Sequence, residues 1–219
     1  MTEQTNIVAM MEAERERLER EGLYRKDEEH DACGVGIVAA VDGKPSRRVV
    51  TAAIEALKAV WHRGAVDADG KTGDGAGIHL ELPRVFFEQH IERTGHTPRP
   101  GQFAVGMIFL PRGNMHDQET CRQIVESEII DFGYGIYGWR QVPVDTSVIG
   151  QKAALSRPEI EQILIYSERE DEDQATFERQ LYLIRRRIEK KIVAAQINGF
   201  YICSLSSRSI IYKGLFLAE

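Results

Sequence analysis

A long helix with one apolar stripe constrains the fold of this chain more than any other feature of its sequence. Between Ala175 and Ile197, apolar residues recur at spacings of three and four, namely Phe177, Leu181, Ile184, Ile188 and Ile192. This spacing places them on one face of an α-helix, which must be buried against another layer of structure. Arginine and lysine residues cover much of the remaining surface, which in an acidic protein favours a solvated face over a nucleic-acid site.

The segments that can cover this stripe are short apolar runs typical of strands. Residues 103–110 and 160–166 are such runs, and residues 78–82 alternate apolar and polar as a half-buried strand does. Further strands are predicted at 34–41 (buried), 138–143, 200–204 and 209–213, the last two as a hairpin, and further helices at 8–21, 47–61, 83–91 and 115–132. The mixture predicts an α+β fold with mainly antiparallel strands and with helices on the sheet faces.

Composition and charge argue against several classes of function. The chain has 219 residues, of which 42% are hydrophobic and 28% charged, as in a globular protein with one large domain or a domain with an extension. No stretch reaches the roughly 18 apolar residues of a membrane span, and the N-terminus lacks the apolar segment of a secretory signal. The net charge of −6 argues against nucleic-acid binding. Residues 1–32 hold ten acidic and five basic residues, so they differ in charge from the nearly neutral remainder.

The three cysteines are widely spaced, which favours neither a disulfide framework nor a metal site and indicates a reducing, cytoplasmic setting. Cys121 and Cys203 lie in apolar patterns and are interpreted as core residues. Cys33 instead stands at the charge boundary. If it became a new N-terminus, its thiol and its α-amine would both titrate near neutrality, so the amine could serve as the base. While residues 1–32 are attached, that nitrogen is an amide, so they would act as a leader that keeps the nucleophile inactive.

Three further motifs invite a functional interpretation. Thr72-Gly73-Asp74-Gly75 lacks the Lys-Ser/Thr ending of a P-loop, so a tight turn into the following strand is favoured over a nucleotide-binding loop. His62 could be interpreted as a catalytic histidine, but a structural role is favoured. Asn198-Gly199 follows the long helix, where an Asn or Gly cap is expected.

Several motifs together resemble the glutaminase domain of the glutamate synthases, a class II glutamine amidotransferase of the N-terminal-nucleophile hydrolase type. They are Asp31-Ala32-Cys33-Gly34-Val35-Gly36, Leu57 with Trp61-His62-Arg63-Gly64-Ala65, Lys71-Thr72-Gly73-Asp74-Gly75-Ala76-Gly77-Ile78, Cys203-Ser204-Leu205-Ser206-Ser207-Arg208 and Ile211-Tyr212-Lys213-Gly214. The resemblance runs from Cys33 to Glu219. It implies an αββα sandwich of two antiparallel sheets between helical layers, incomplete at the C-terminus. It divides the chain into a leader, 1–32, and the first part of the glutaminase domain, 33–219.

The resemblance also implies the chemistry. Cys33 would attack the side-chain amide of L-glutamine, and a thioester, ammonia and glutamate would follow in turn. Arg63 and Gly64 match the family's Arg-Gly motif near the glutamine pocket, so they either support that pocket or simply end a helix. No cofactor or metal is expected within this chain. The ammonia would pass to synthase domains that carry FMN and an iron–sulfur cluster and act on 2-oxoglutarate in ammonia assimilation, with a small reductase subunit as a further candidate partner.

The family's carboxylate-binding arginine, its oxyanion-hole Asn-Gly and an acid that holds the substrate amine are expected beyond residue 219. The isolated segment is therefore expected to be inactive, because the loss of one oxyanion-hole donor alone costs about 10²–10³ in rate. Asn198-Gly199 could substitute for that pair, but the helix-cap interpretation is preferred. The alternative is a non-catalytic binding or regulatory module that keeps the fold.

Overall fold

The computed structural model describes residues 3–22, 34–169 and 171–217 of the chain. The chain falls into two units, Met1–Cys33 and Gly34–Glu219. In the first unit, α1 spans Glu3–Glu21, which confirms the helix predicted at 8–21. The Arg17 guanidinium bridges Glu14 at 2.6 Å and Glu21 at 3.1 Å, so pairs one helical turn apart support this charged helix.

The second unit alternates helices and strands. Its helices are α2 (Arg47–Ala59), α3 (Arg84–Arg93), α4 (Met115–Asp131), α5 (Gln151–Ser156) and α6 (Gln174–Ala194), with a 3₁₀ turn at Trp61–Arg63. Its strands are β1 (Ala76–Glu81), β2 (Phe103–Leu110), β3 (Tyr134–Gln141), β4 (Glu159–Ser167), β5 (Tyr201–Ser206) and β6 (Ser209–Gly214). The predicted strand at 103–110 matches β2 at both ends, and the other paired strands lie within a few residues of their predicted positions.

The strands form two antiparallel sheets. One has four strands in the order β3-β4-β2-β5, and the other pairs β1 with β6. The apolar runs at β2 and β4 are neighbours in the middle of the larger sheet, where both of their faces are covered. The predicted α+β class with antiparallel strands is therefore confirmed.

Two hydrophobic cores lie on opposite faces of the four-stranded sheet. The first packs α4 and α6 against it, and all five residues of the stripe on α6 are buried there, as predicted. Cys121 of α4 lies in this core with no exposed surface. The helix stripe thus finds its partner in a β-sheet.

The second core lies between the two sheets. It joins Phe87 and Ile91 of α3 and Met107 of β2 to Cys203 of β5 and Ile210 of β6. Helix α2 lies against β1. The layers therefore follow the order helices α4 and α6, four-stranded sheet, two-stranded sheet.

The hairpin predicted from residues 200–204 and 209–213 is wrong, because β5 and β6 belong to different sheets. Ser206 Oγ accepts hydrogen bonds from Arg208 N at 2.9 Å and Ser209 N at 3.2 Å, and donates one to Glu178 of α6 at 2.9 Å. Glu178 also accepts a bond from Ser207 N. The turn is therefore tied to α6, and β6 leaves it to pair with β1 rather than with β5.

The buried strand predicted at residues 34–41 is also wrong. Residues 34–40 form no regular secondary structure, and Val35 and Ile37 are 85% and 93% exposed. An apolar run becomes a strand only when a neighbouring strand takes up its backbone hydrogen bonds, and no described strand pairs with this one. The turn predicted after it does form, because Gly43 has a φ of 65° and Lys44 N donates to Asp42 Oδ1.

Asn198-Gly199 does not cap α6, contrary to prediction. The helix ends four residues earlier, and Gln196 takes the left-handed position with a φ of 55°. Gln196 N donates to Val193 O at 3.0 Å, and Ile197 N donates to Ile192 O at 3.3 Å, which is the hydrogen-bond pattern of a Schellman motif. Packing of Ile197 against the core that contains Ile192 explains why the helix ends before the glycine.

Two other features were not predicted. The short helix α5 carries no apolar period, and β3 begins four residues before its predicted start, directly after the turn at Gly133. None of the helices in the described segments combines the length and the apolar character that crossing a bilayer demands.

Candidate active site

The predicted nucleophile, Cys33, lies outside the residues that the structure describes. Gly34 is the first described residue after it, and residues 34–37 are exposed. The role assigned to Cys33 therefore stays a prediction.

The Arg-Gly motif follows α2. The 3₁₀ turn ends at Arg63, and Gly64 N donates to Trp61 O at 3.0 Å. The side chain of Arg63 is outside the described part of the structure. A Cβ at Gly64 would lie 3.2 Å from Asp74 Oδ1, so a glycine here allows the turn to approach the glycine-rich loop closely.

The glycine-rich loop and the Arg-Gly motif form one local structure. Val66 and Gly73 make an antiparallel bridge, Asp67 N donates to Thr72 O at 2.9 Å, and Asp74 N donates to Ala65 O at 3.3 Å. Two motifs that are separate in sequence are thereby joined by backbone hydrogen bonds. The loop leads directly into β1, which agrees with the predicted tight turn.

One glycine of this loop, Gly73, and one of β1, Gly77, are required by close contacts with the C-terminal part of the chain. A Cβ on Gly73 would lie 2.5 Å from Phe216 O, and one on Gly77 would lie 2.8 Å from Lys213 Cβ. Both distances are too short for a real contact. Gly73 therefore lets the loop approach the segment after β6, and Gly77 lets β1 approach β6, without any need for a bound phosphate.

The Asp69 carboxylate organises the loop. Thr72 Oγ1 donates to Asp69 Oδ2 at 2.6 Å, while Thr72 N and Lys71 N donate to Asp69 Oδ1 at 2.7 and 3.0 Å. These hydrogen bonds, the one from the Thr72 hydroxyl foremost, hold the pKa of Asp69 well below its usual range. Asp69 therefore stays ionised in the neutral range and is a structural acceptor rather than a general acid.

The loop also contacts α5. Lys152 Nζ forms an ion pair with Asp67 Oδ2, and this hydrogen bond lowers the pKa of Asp67 and raises that of Lys152. Ala153 N donates to Thr72 Oγ1 at 3.3 Å. Sequence reasoning missed this contact between the loop and α5, because the residues that meet are about 80 positions apart and neither segment carries a local pattern that predicts the contact.

The remaining candidates from the sequence are His62, Asn198-Gly199 and possible metal ligands. His62 is exposed on the 3₁₀ turn, and its favoured structural role stays a prediction. Asn198 and Gly199 are exposed in the connection between α6 and β5. Among the residues that the structure describes, no group of three or more His, Cys, Asp or Glu side chains gathers as metal ligands would.

The environments of Cys121 and Cys203 confirm that both are core residues. Burial raises the pKa of the Cys121 thiol to about 11, with a smaller contribution from Asp117, and burial also raises that of Cys203. A thiol with a raised pKa is a poor nucleophile, because the reactive species is the thiolate. Neither residue is therefore a candidate nucleophile.

Comparison with known proteins gives a consistent family. The model of the family described as glutamine amidotransferases class-II matches residues 33–219. The NADPH glutamate synthase large chain of Azospirillum brasilense is 59% identical over 97% of this chain. The NADH glutamate synthase of Saccharomyces cerevisiae is 38% identical over 90%, and ferredoxin-dependent glutamate synthase 2 of Synechocystis is 40% identical over 86%.

The chain spans 14%, 9% and 12% of the lengths of these three relatives, respectively. Their names differ in electron donor, so the similarity assigns no donor to this protein. The family match covers most of the chain and agrees with its two antiparallel sheets and covering helices. The chain belongs to the class II glutamine amidotransferases.

Proposed function

We propose that this chain is the glutaminase part of a glutamate synthase, with Cys33 as the nucleophile that attacks L-glutamine. The observation that carries the proposal is the family match, which begins at Cys33 and continues to residue 219. It is supported by glutamate synthases from three organisms, each of which aligns with more than four fifths of the chain.

The reaction has two steps, and neither needs an oxidant. The Cys33 sulfur attacks the carboxamide carbon of glutamine, the carbon–nitrogen bond breaks, and the departing nitrogen takes a proton to leave as ammonia. Water then attacks the thioester carbonyl, which releases glutamate and restores the thiol. The α-amine of Cys33 would carry the proton between these steps, since its pKa lies near neutrality.

This role of the α-amine requires removal of residues 1–32. The proposed division into a leader and a domain is supported by the charge break at Cys33 and by the start of the family match at the same residue. Uncleaved, the Cys33 nitrogen is an amide and binds no proton at working pH. Activity should therefore appear only after cleavage between Ala32 and Cys33.

Arg63 and Gly64 are proposed to support the glutamine pocket. The support for this role is the family motif together with the position of Gly64 in a loop held by the Val66–Gly73 bridge. An interpretation as a simple helix end predicts instead that substitution of Gly64 changes stability and leaves the KM for glutamine unchanged.

We assign FMN and iron–sulfur chemistry, and transfer of ammonia to 2-oxoglutarate, to synthase domains outside residues 1–219. Iron–sulfur clusters are held mainly by cysteine thiolates. Here Cys121 and Cys203 lie in separate cores on opposite faces of a sheet, so the two do not fit a shared cluster. A cytoplasmic location and a small reductase partner belong to the same proposal, and cell fractionation and co-purification test them.

The direct test is glutamine hydrolysis by the protein that the complete reading frame encodes, measured as glutamate and ammonia released. Cys33→Ser should lower kcat by at least about a thousandfold, as expected when a catalytic nucleophile is lost. The same proposal predicts that residues 1–219 alone hydrolyse glutamine far more slowly than that protein. Hydrolysis by Cys33→Ser at the wild-type rate would refute the role of Cys33.

The alternative, a non-catalytic binding module, makes the opposite prediction. It expects a stop codon directly after codon 219 and no glutaminase activity from the natural protein. Sequencing beyond codon 219 separates the two, because a frame that continues with an Asn-Gly pair supports the enzyme.

A further inference from the structure

Helix α5 contacts the glycine-rich loop through a buried hydroxyl. Thr72 is 6% exposed, and its Oγ1 donates to Asp69 Oδ2 while it accepts a hydrogen bond from Ala153 N. Ala153 is 3% exposed. A single side chain therefore joins the loop to the first turn of a helix about 80 residues further along the chain.

Gly150, the residue before α5, also lies directly against Asp69 and Thr72 of the loop. A Cβ built there would lie 2.2 Å from both Asp69 Oδ2 and Thr72 Oγ1 and 2.6 Å from Thr72 N. Gly150 has a φ of −72°, a conformation that any residue adopts, so backbone strain does not explain the glycine. The glycine is required because the helix start lies directly on the loop.

The same loop carries the Arg-Gly motif. Thr72 O accepts a bond from Asp67 N, and the next residue, Gly73, pairs with Val66. Val66 is two residues after Gly64, and Asp74 packs beside Gly64. A shift of Thr72 would therefore be passed along backbone hydrogen bonds to Gly64.

An ion pair on the solvent side also holds α5 against the loop. Lys152, in the first turn of α5, pairs with Asp67 of the loop. Lys152 N also points at Asp69 Oδ2 at 3.5 Å. Two of the loop's three acidic residues, Asp67 and Asp69, thus face the start of α5.

We propose that α5 is a positioning element for the glutamine site, and that Thr72 and Gly150 are positioning residues which hold the 64–75 loop, and with it Gly64, in its binding geometry. This inference rests on the proposed glutaminase function. The contact itself does not, so the contact and the function can be tested separately.

Hydrogen exchange in the protein that the complete reading frame encodes tests the contact. Thr72→Val keeps the side-chain shape but removes the hydroxyl, Thr72→Ser keeps the hydroxyl, and Gly150→Ala adds the clashing Cβ. Gly113→Ala is the matched control, because a Cβ there meets nothing within 4 Å. Amides of residues 64–75 should exchange at least about tenfold faster in Thr72→Val and Gly150→Ala, while those of α6 and β2 are unchanged and Thr72→Ser and Gly113→Ala resemble wild type.

Kinetics of the protein encoded by the complete reading frame test the role. Thr72→Val and Gly150→Ala should raise the KM for glutamine about tenfold and change kcat less than about threefold, with recovery in Thr72→Ser. Unchanged exchange in the loop would overturn the contact, and faster exchange with an unchanged KM would overturn the positioning role. If the wild-type protein lacks glutaminase activity, the proposed function and the role in glutamine binding both fail, while exchange still decides whether α5 holds the loop.

Discussion

The hydroxyl of Tyr134, in the first core, bonds to two charged side chains, so its removal tests a buried polar contact directly. Tyr134 is 3% exposed, its OH donates to Glu172 Oε1 at 2.7 Å, and it accepts a bond from Arg169 Nη1 at 3.2 Å. Ser167 Oγ donates to the second oxygen of the Glu172 carboxylate at 2.7 Å. This group joins the start of β3 to the end of β4 and to the segment before α6.

Tyr134→Phe removes only the hydroxyl. The ring keeps its stacking on Phe177 at 5.2 Å and its position under the Arg169 guanidinium at 4.9 Å. A hydrogen bond to a charged group contributes about 1.5–3 kcal/mol, so the free energy of unfolding should fall by that amount at neutral pH. With a urea m-value of about 2 kcal/mol/M, the unfolding midpoint should fall by about 1 M.

The pH dependence gives a second, independent measure. Burial first, and the bond to Glu172 next, raise the pKa of Tyr134 well above its usual range. The folded state therefore keeps this proton at pH values where the unfolded chain, with a phenol pKa of about 10, has lost it. The contribution of the protonated Tyr134 hydroxyl to the free energy of unfolding is fully present below about pH 10. It declines as the pH rises further, by up to about 1.4 kcal/mol per pH unit.

The assay is urea unfolding of wild type and Tyr134→Phe from pH 7 to pH 11. The difference between the two should be constant up to about pH 9.5 and should shrink above pH 10, since only wild type loses this contribution. Tyr182→Phe, on a side chain that is 61% exposed, is the control and should differ little from wild type. A loss below about 0.5 kcal/mol at pH 7, or a difference that does not shrink at high pH, would refute the reasoning.

Urea unfolding also checks three further predictions. Leu181→Ala, at a fully buried position of the helix stripe, should destabilise the protein by about 2.7–5 kcal/mol, whereas Val193→Ala, which is 76% exposed on the same helix, should change little; similar losses would mean that the stripe is not core. Gln196→Gly should stabilise by about 0.5–1 kcal/mol, because glycine accepts the left-handed conformation without penalty; a loss would contradict the Schellman end. Gly106→Ala should cost about 1–3 kcal/mol, since its Cβ would lie 2.7 Å from Ile163 Cγ2 in the middle of the sheet; a result equal to that of Gly113→Ala would overturn this.

The sequence predicts correctly those elements whose buried residues form a local pattern, either a helical spacing or a continuous apolar run. The stripe from Phe177 to Ile192 and the apolar run of β2 are correct because each needs only a covering layer, whatever its identity. The interpretation of Cys121 and Cys203 as core residues is correct for the same reason. These are properties of one segment at a time.

The errors occur where a distant partner decides the structure. The 34–41 run has the residues of a strand but no described strand beside it. The serine turn after β5 is redirected by Glu178 of α6, and packing of Ile197 ends that helix before its glycine. In the candidate site, the contact of Thr72 with Gly150 depends on a fold that joins residues about 80 positions apart, so no motif in either segment could reveal it.

Covalent labelling at Cys33 tests the central claim most directly. The protein encoded by the complete reading frame is treated with a diazoketone analogue of glutamine, digested and mapped by mass spectrometry, with the buried Cys121 and Cys203 as internal controls. The account predicts one adduct per chain, on a Cys33 that has become the N-terminus, and protection by excess glutamine. An adduct on another residue, or an active protein that keeps residues 1–32 attached, would contradict it.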